Sequence, residues 1–489
     1  MRRTTLAALT ACTTVALLVS ACTGTDSGGG DDGSAEGKNV SITFWHGWSQ
    51  DNEVQAIEAN VAAFEKLHPN IDVKVVGNIA DDKSEQALRA GGPEAPDVVS
   101  SFTTDQVGKF CSAKVWADLT PFLRKDGIDP AATFPATMLE YTRFQGNQCA
   151  LPLLGDTYGL FYNKTAFAAA GITAPPKTFS EFEAAAVKLT IPEGDTFRQL
   201  GFMPNYHGYE TSVMHYLGQY GADYFGPDGK SNIATDPRVA AMFEWQKRMI
   251  AALGGFDKLE KYRTGFGDEF SANNPFHTGQ VAMSFDGEWR TASLAVGPVS
   301  FEWATPPFPG PGDKAPPNTP TPPGLVVFSC AAVSPTAARP ADPVSFEWAT
   351  APFPVPDDQA ATYGRGYQTG TIIGVANSSR KQSAAWQLVK FLTTDTDAVV
   401  DFANAIHNVP STLAALSSPR LKVDANFQTF LDIAKHPHSS TTPSSINGGA
   451  YQLSLRNFGY EYEAGKQPDL RAGLTATAKE IDEAIDQAK

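Results

Sequence analysis

Three short stretches set polar or acidic side chains beside large aromatic rings. They are Trp45-His46-Gly47-Trp48, Asn205-Tyr206-His207-Gly208-Tyr209-Glu210 and Asp286-Gly287-Glu288-Trp289-Arg290. Carboxylates and amides bond hydroxyl groups, and charge-assisted bonds are among the stronger ones. Ring faces pack against C–H surfaces. The combination suits retention of a polyhydroxylated molecule in a mostly apolar pocket with a few placed polar groups. Catalysis finds less support. No Gly-x-Ser-x-Gly elbow occurs, and no His-Glu-x-x-His zinc motif. Asp156 and Glu288 offer two carboxylates of the kind that hydrolyse a glycoside, but nothing in the sequence sets their separation. His46 has no second His or Cys at ligand spacing, so no metal is expected. Gly364 to Gly370 is Gly-rich but lacks the Lys-Ser or Lys-Thr of a phosphate loop. No cofactor is expected.

These stretches sit at the ends of recognisable elements. Val40 to Trp45 alternates and is rich in β-formers, which predicts a strand. Asn52 to Leu67 carries Val54, Ile57, Val61, Phe64 and Leu67 at helical spacing, and His68-Pro69-Asn70 stops it. Ile71 to Val76 alternates again. This βαβ unit implies a parallel sheet with helices on its faces. In such sheets ligands bind beyond the carboxyl ends of the strands, which is where Trp45, His46 and Trp48 fall, although either tryptophan fits a core equally well. A short strand is expected at Ala95 to Val99, a helix near Gln106 to Ser112, and a strand at Leu160 to Lys164. Thr178 and Glu181 have the spacing of a capping box. Val281 to Phe285 reads as a strand leading to Glu288, Trp289 and Arg290. Gln382 to Leu392 is amphipathic, and a last helix covers about Leu470 to Ala488.

The chain of 489 residues is long enough for two lobes or domains. Its net charge of −15 argues against a nucleic-acid partner. Arg2 and Arg3, an apolar run to Val19, and small residues before Cys22 read as a secretory signal peptide over residues 1–21. Leu18-Val19-Ser20-Ala21-Cys22 resembles a bacterial lipobox, which implies a lipid on Cys22. Residues 22–38 would then be a flexible tether holding the folded part off a membrane. Cys111 and Cys149 form a disulfide in an oxidising compartment or stand as two buried thiols. Cys330 is left over.

Several stretches in order resemble one family. They are ITFWHGWS, FEKLHPNIDVKVV, LPLLGDTYGLFYNK, GQVAMSFDGEWR and AAWQLVKFLTTD, with NVPS and AGKQPDL fitting as well. The chain is similar to the sugar-binding extracellular solute-binding proteins (family 1) of bacterial ABC importers, the type that includes maltose-binding protein. The resemblance implies an α/β, two-lobed fold of the type II periplasmic-binding-protein kind, with the ligand in the cleft. It implies a monomer, no enzymatic activity, a sugar ligand of oligosaccharide size, membrane permease subunits as partners, and a place at the outer face of the cell membrane. A polyol or peptide ligand is the alternative. Crossings between lobes are implied near Leu153 to Tyr158, Gly366 to Gly370 and Val409 to Leu416. Lobe 1 would comprise residues 39–155 and 370–412, and lobe 2 residues 156–369 and 413–489. Ligand contacts are implied at Asp105 and Asp156, at Tyr206 and Tyr209 in a stacking loop, at Glu288 and Trp289, at Gly366 and Tyr367 through exposed backbone amides, and at Asn408. Ser439 to Gln452 is implied by position only. Asp105 has a second explanation as an acid at a helix N-terminus.

One feature breaks the family pattern. PVSFEWATPPFPGPGD begins at Pro298 and PVSFEWATAPFPVPDD at Pro343. The first copy has the family's neighbour upstream and the second has it downstream. Residues 299–343 therefore read as an insert made by partial duplication. A single extra copy does not make a repeat architecture, so only one copy is expected to occupy the native strand, with the second slightly favoured.

Overall fold

The computed structural model describes residues 39–49, 51–204, 212–267, 271, 273–296 and 344–489. The signal peptide, Cys22, the tether, Tyr206, Tyr209, the first VSFEWAT and Cys330 lie outside them.

The chain opens with β1 (Val40–Trp45), α1 (Asp51–Leu67) and β2 (Ile71–Val76), followed by α2 (Asp81–Ala90), β3 (Val98–Ser101) and α3 (Val107–Ser112). The first βαβ unit forms where its periodicity places it. Ile42 and Phe44 point inward from β1, and α1 buries Ile57, Val61 and Phe64 along one stripe. Strand β1 pairs in parallel with β2, from Val40 opposite Ile71 to Trp45 opposite Val76, and with β3 on its other edge. The third strand starts later than Ala95 because Pro96 has no N–H to give a ladder. Asp97 then leaves the strand pattern: its carboxylate accepts the Thr43 N–H at 2.9 Å and holds Lys381 at 3.1 Å.

A short helix α4 (Ala136–Glu140) precedes the long strand β4 (Leu151–Asn163). Alternation could not have revealed the length of β4, since residues along it are buried on both faces. Then come α5 (Phe179–Leu189), α6 (Val213–Tyr220), α7 (Pro237–Ala252), β5 (Met283–Gly287), α8 (Arg290–Val296) and β6 (Trp348–Ala351). The Thr178 hydroxyl accepts the Glu181 N–H at 3.4 Å, but Glu181 reaches back to the Lys177 N–H at 2.7 Å, one residue earlier than a capping box requires. The chain ends with β7 (Gln368–Val375), α9 (Gln382–Thr394), α10 (Thr396–Ile406), β8 (Val409–Pro410), α11 (Ala425–Lys435), α12 (Ala450–Glu463) and α13 (Leu470–Ala488).

The main sheet runs β6-β4-β7-β3-β1-β2, with β5 and β8 also pairing with β4. The N-terminal half of β4 pairs with β7 and β8. Its C-terminal half pairs with β5 and β6. One strand therefore enters both halves of an α/β, two-lobed fold. Helices α1, α9 and α10 pack together on the β1 side, and α6, α7, α12 and α13 pack together on the other. Cys111 and Cys149 are bonded, with Cα atoms 5.7 Å apart.

The second copy of the repeat supplies β6. Trp348 pairs with Asn163 and Ala351 with Leu160. Three differences between the copies favour this choice. Ala351 sits in the ladder where the first copy has Pro306. Val355 is fully buried and exchanges backbone bonds with Lys177 and Phe179, where the first copy has Gly310. Asp357 bonds Ser180 at the start of α5, where the first copy has Gly312.

Candidate functional site

Three acidic or amide side chains meet where β4, β7 and β8 run side by side. Asp156 lies in β4 opposite Thr369, and its neighbour Gly155 lies opposite Val409. Asn408 reaches this point because α10 ends at His407 in the left-handed conformation (φ 57°), which turns the chain into β8. Its Nδ2 donates to Asp156 Oδ1 at 2.6 Å and to Glu288 Oε1 at 2.9 Å. Glu288, just past β5, accepts the Thr157 N–H through Oε2 at 2.7 Å. Glu288 is fully buried. Burial, with the Asp156 charge adding to it, holds its carboxyl well above the usual carboxylate range.

Aromatic rings adjoin this group. Tyr158 stands edge-on to Trp289 at 5.4 Å and packs at 5.5 Å on Tyr367. His215 touches Tyr158 at 4.4 Å and Tyr367 at 4.7 Å. Burial lowers its imidazole to about 3, so it packs as a neutral ring. The Tyr367 hydroxyl shares a hydrogen bond with Thr442 Oγ1 at 2.5 Å. Trp289 is half-buried, and its indole N–H has no partner among the described residues.

Asp105 joins the site from the turn after β3. Thr104 Oγ1 lies 3.0 Å from Thr369 Oγ1, which ties this turn to the strand residue opposite Asp156. Asp105 Oδ2 accepts from Gln452 Nε2 at 3.1 Å, while Oδ1 is shielded from water and has no partner. Burial pushes the carboxyl up to about 6, with the nearby Asp81 charge contributing.

The structure thus brings together Asp105, Asp156, Glu288, Trp289, Tyr367 and Asn408, and it corrects other expectations. Trp48 belongs to the core: it is 3% exposed and stands edge-on to Phe102 and Phe402 at 5.7 and 5.0 Å. His46 is wedged beside Phe44 and Trp48, and burial lowers it to about 4. Trp45 is half-buried against the same core. Gly366 does not expose its amide, because its N–H donates to Ser439 Oγ at 3.1 Å. A side chain there would also press on the Tyr158 carbonyl, 3.0 Å from an added Cβ. Likewise the Gln368 N–H donates to the Ser440 carbonyl at 2.8 Å. Residues 439–452 matter more than position alone implied, since they supply Thr442 and Gln452. His215 escaped the sequence reading, and its local context, SVMHYLGQ, carries no ligand signal. Among the described residues no cluster of three or more His, Cys, Asp or Glu could hold a metal ion.

Comparison with known proteins agrees with this architecture. The maltotriose-binding protein of Pyrococcus abyssi is 21% identical over 418 residues, covering 85% of this chain and 76% of its own. The structure of CpMnBP1 with mannotriose bound superposes with a TM-score of 0.68 at 20% identity, covering 90% of this chain and all of that one. The sugar-binding protein MalE of Xanthomonas citri gives a TM-score of 0.68 at 20% identity, covering 92% and 98%. These similarities fix the fold as the two-lobed type II arrangement. Residues 48–399 match the family described as bacterial extracellular solute-binding protein, and the chain belongs to that family.

Proposed function

We propose that the chain captures an oligosaccharide outside the cell and delivers it to the permease of an ABC importer. The observation that carries this is the Asp156–Asn408–Glu288 group set against Tyr158, Trp289 and Tyr367. Acceptors and donors for hydroxyls lie beside faces for C–H packing, at the point where three strands cross. A maltotriose-binding relative and a neighbour with mannotriose bound support the ligand class. The lobes, residues 39–155 with 370–412 and 156–369 with 413–489, separate to admit the ligand and close on it by a hinge motion. A receptor role fits better than hydrolysis. Asn408 fills the space between the two carboxylates, where a scissile bond would have to lie.

After export and removal of residues 1–21, a lipid on Cys22 holds the receptor, a monomer, at the outer face of the membrane. Energy for transport comes from an ATPase elsewhere in the importer. A thermal-shift screen over sugars, polyols and peptides tests the ligand class, since a ligand of the folded state raises the melting temperature. A rise with oligosaccharides supports the proposal. A rise only with polyols or peptides overturns it. Replacing Cys22 by Ala should release the protein into the medium if the lipid is the anchor.

A further inference from the structure

Two buried hydroxyls at this site have nothing to bond. Tyr141 is fully buried and Tyr224 is 4% exposed, and neither hydroxyl has a hydrogen-bond partner among the described residues. Leaving a polar group both dry and unpaired is costly, and folded proteins rarely tolerate it without a reason. Asp105 Oδ1 and the Trp289 indole N–H share the condition.

The placement of these hydroxyls supplies the reason. Tyr141 follows α4, and its hydroxyl lies against the crossing of β4 and β7. A Cβ added at Gly370 would stand 2.7 Å from that oxygen, and closer still, at 2.3 Å, to the Leu154 carbonyl, so the hydroxyl sits directly against the paired backbones. Asp156, Tyr367 and Glu288 are near enough to raise Tyr141 further after burial has done so. Tyr224 follows α6, with its ring edge-on to Tyr451 at 4.7 Å. Its electrostatic neighbours are Tyr367, Arg456 and Asp105. Both hydroxyls therefore have Tyr367 as a neighbour, Tyr141 together with Asp156 and Glu288, and Tyr224 together with Asp105. Contacts across this region seal it: Gln452 bonds Asp105, and Ser444 Oγ donates to the Tyr141 carbonyl at 3.3 Å. A hydroxyl-rich ligand such as a sugar would supply the partners that these polar atoms lack.

Resting on the sugar-receptor reading, we infer that Tyr141 and Tyr224 are specificity-determining ligand contacts, each bonding a hydroxyl of the bound oligosaccharide. The competing explanation is that both rings only fill space. In that case phenylalanine serves as well in every respect, because the hydroxyl bonds nothing in the protein.

The test compares the full chain with Tyr141→Phe, Tyr224→Phe and the double variant. Maltotriose and mannotriose are the first probes, followed by a wider oligosaccharide panel, read by calorimetry and by melting of the ligand-free proteins. The expected result is a melting temperature unchanged or raised in each variant, with affinity for the bound sugar reduced about three- to tenfold per hydroxyl. Equal affinity in wild type and both single variants overturns the inference and leaves the sugar reading standing. A fall in ligand-free melting temperature with unchanged affinity also overturns it, by making the hydroxyls structural. If the wild type binds no oligosaccharide at all, the sugar reading fails first and this inference with it.

Discussion

Glu288 and Thr157 hold each other by two bonds. The Thr157 N–H donates to Glu288 Oε2 at 2.7 Å, and the Glu288 N–H donates to the Thr157 carbonyl at 3.2 Å. The side-chain half of this clamp fixes the end of β5 to the strand that enters both lobes. Glu288→Ala leaves a buried N–H without its acceptor and Asn408 with one carboxylate instead of two. We expect a loss of about 1–3 kcal/mol in stability, read by denaturant unfolding, together with weakened ligand binding. Unchanged stability would remove the clamp from the account.

Asp105 makes stability depend on pH. Its folded value of about 6 lies above the ordinary 3.8, so between those values the folded state binds the proton more tightly than the unfolded chain. Its contribution is therefore fullest below about pH 3.8 and is lost as pH rises through about 6. Asp105→Asn cannot titrate. The variant should gain on wild type in melting temperature between pH 4 and 6, and hold a constant difference above that. A difference that stays flat from pH 4 to 7 would contradict the shift.

Trp289 presents a half-buried ring beside Tyr158. Trp289→Ala removes a stacking face and should weaken oligosaccharide binding by about 1–3 kcal/mol. Calorimetry that finds unchanged affinity would take Trp289 out of the site.

Deleting residues 299–343 joins Pro298 to Val344 and restores a single VSFEWAT. The variant should melt with the wild type and bind the same ligand, because the second copy already supplies β6. Giving that copy the first copy's glycine at one place, Val355→Gly, empties a fully buried position. It should cost about 1.5–3 kcal/mol from lost burial alone. A deletion variant that fails to fold would show that the insert has a structural role.

The Cys111–Cys149 bridge spans 38 residues. Chain-entropy reasoning for a loop of that length gives about 4 kcal/mol of stabilisation. Replacing both cysteines by Ser should lower the melting temperature, and reducing agent should lower it in the wild type but not in that variant. Insensitivity of the wild type to reductant would count against the bridge.

Local order was legible wherever burial is one-sided. Strands β1 and β2 and helix α13 occupy the residues their periodicity marks. Strand β4 was read at less than half its length, because burial on both faces erases alternation. Asp156, Glu288 and Trp289 could be named from residue type and family resemblance. The joining of Asp156 and Glu288 through Asn408 depends on how β4, β5 and β8 align. His46 and Trp48 lie among buried aromatic rings, and a tryptophan's residue type fits a ligand wall and a core alike.

By itself the sequence determined the residue types, the local periodicities and the resemblance to the family. These follow from composition, spacing and order along the chain. Only the tertiary structure decided which acid meets which amide, which tryptophan is core, and which copy of VSFEWAT pairs with β4. Those outcomes rest on contacts between residues far apart in sequence, such as Asn408 with Asp156 and Glu288. They also rest on whether a buried polar atom finds a partner, as Glu288 does and the hydroxyls of Tyr141 and Tyr224 do not. No local pattern encodes either.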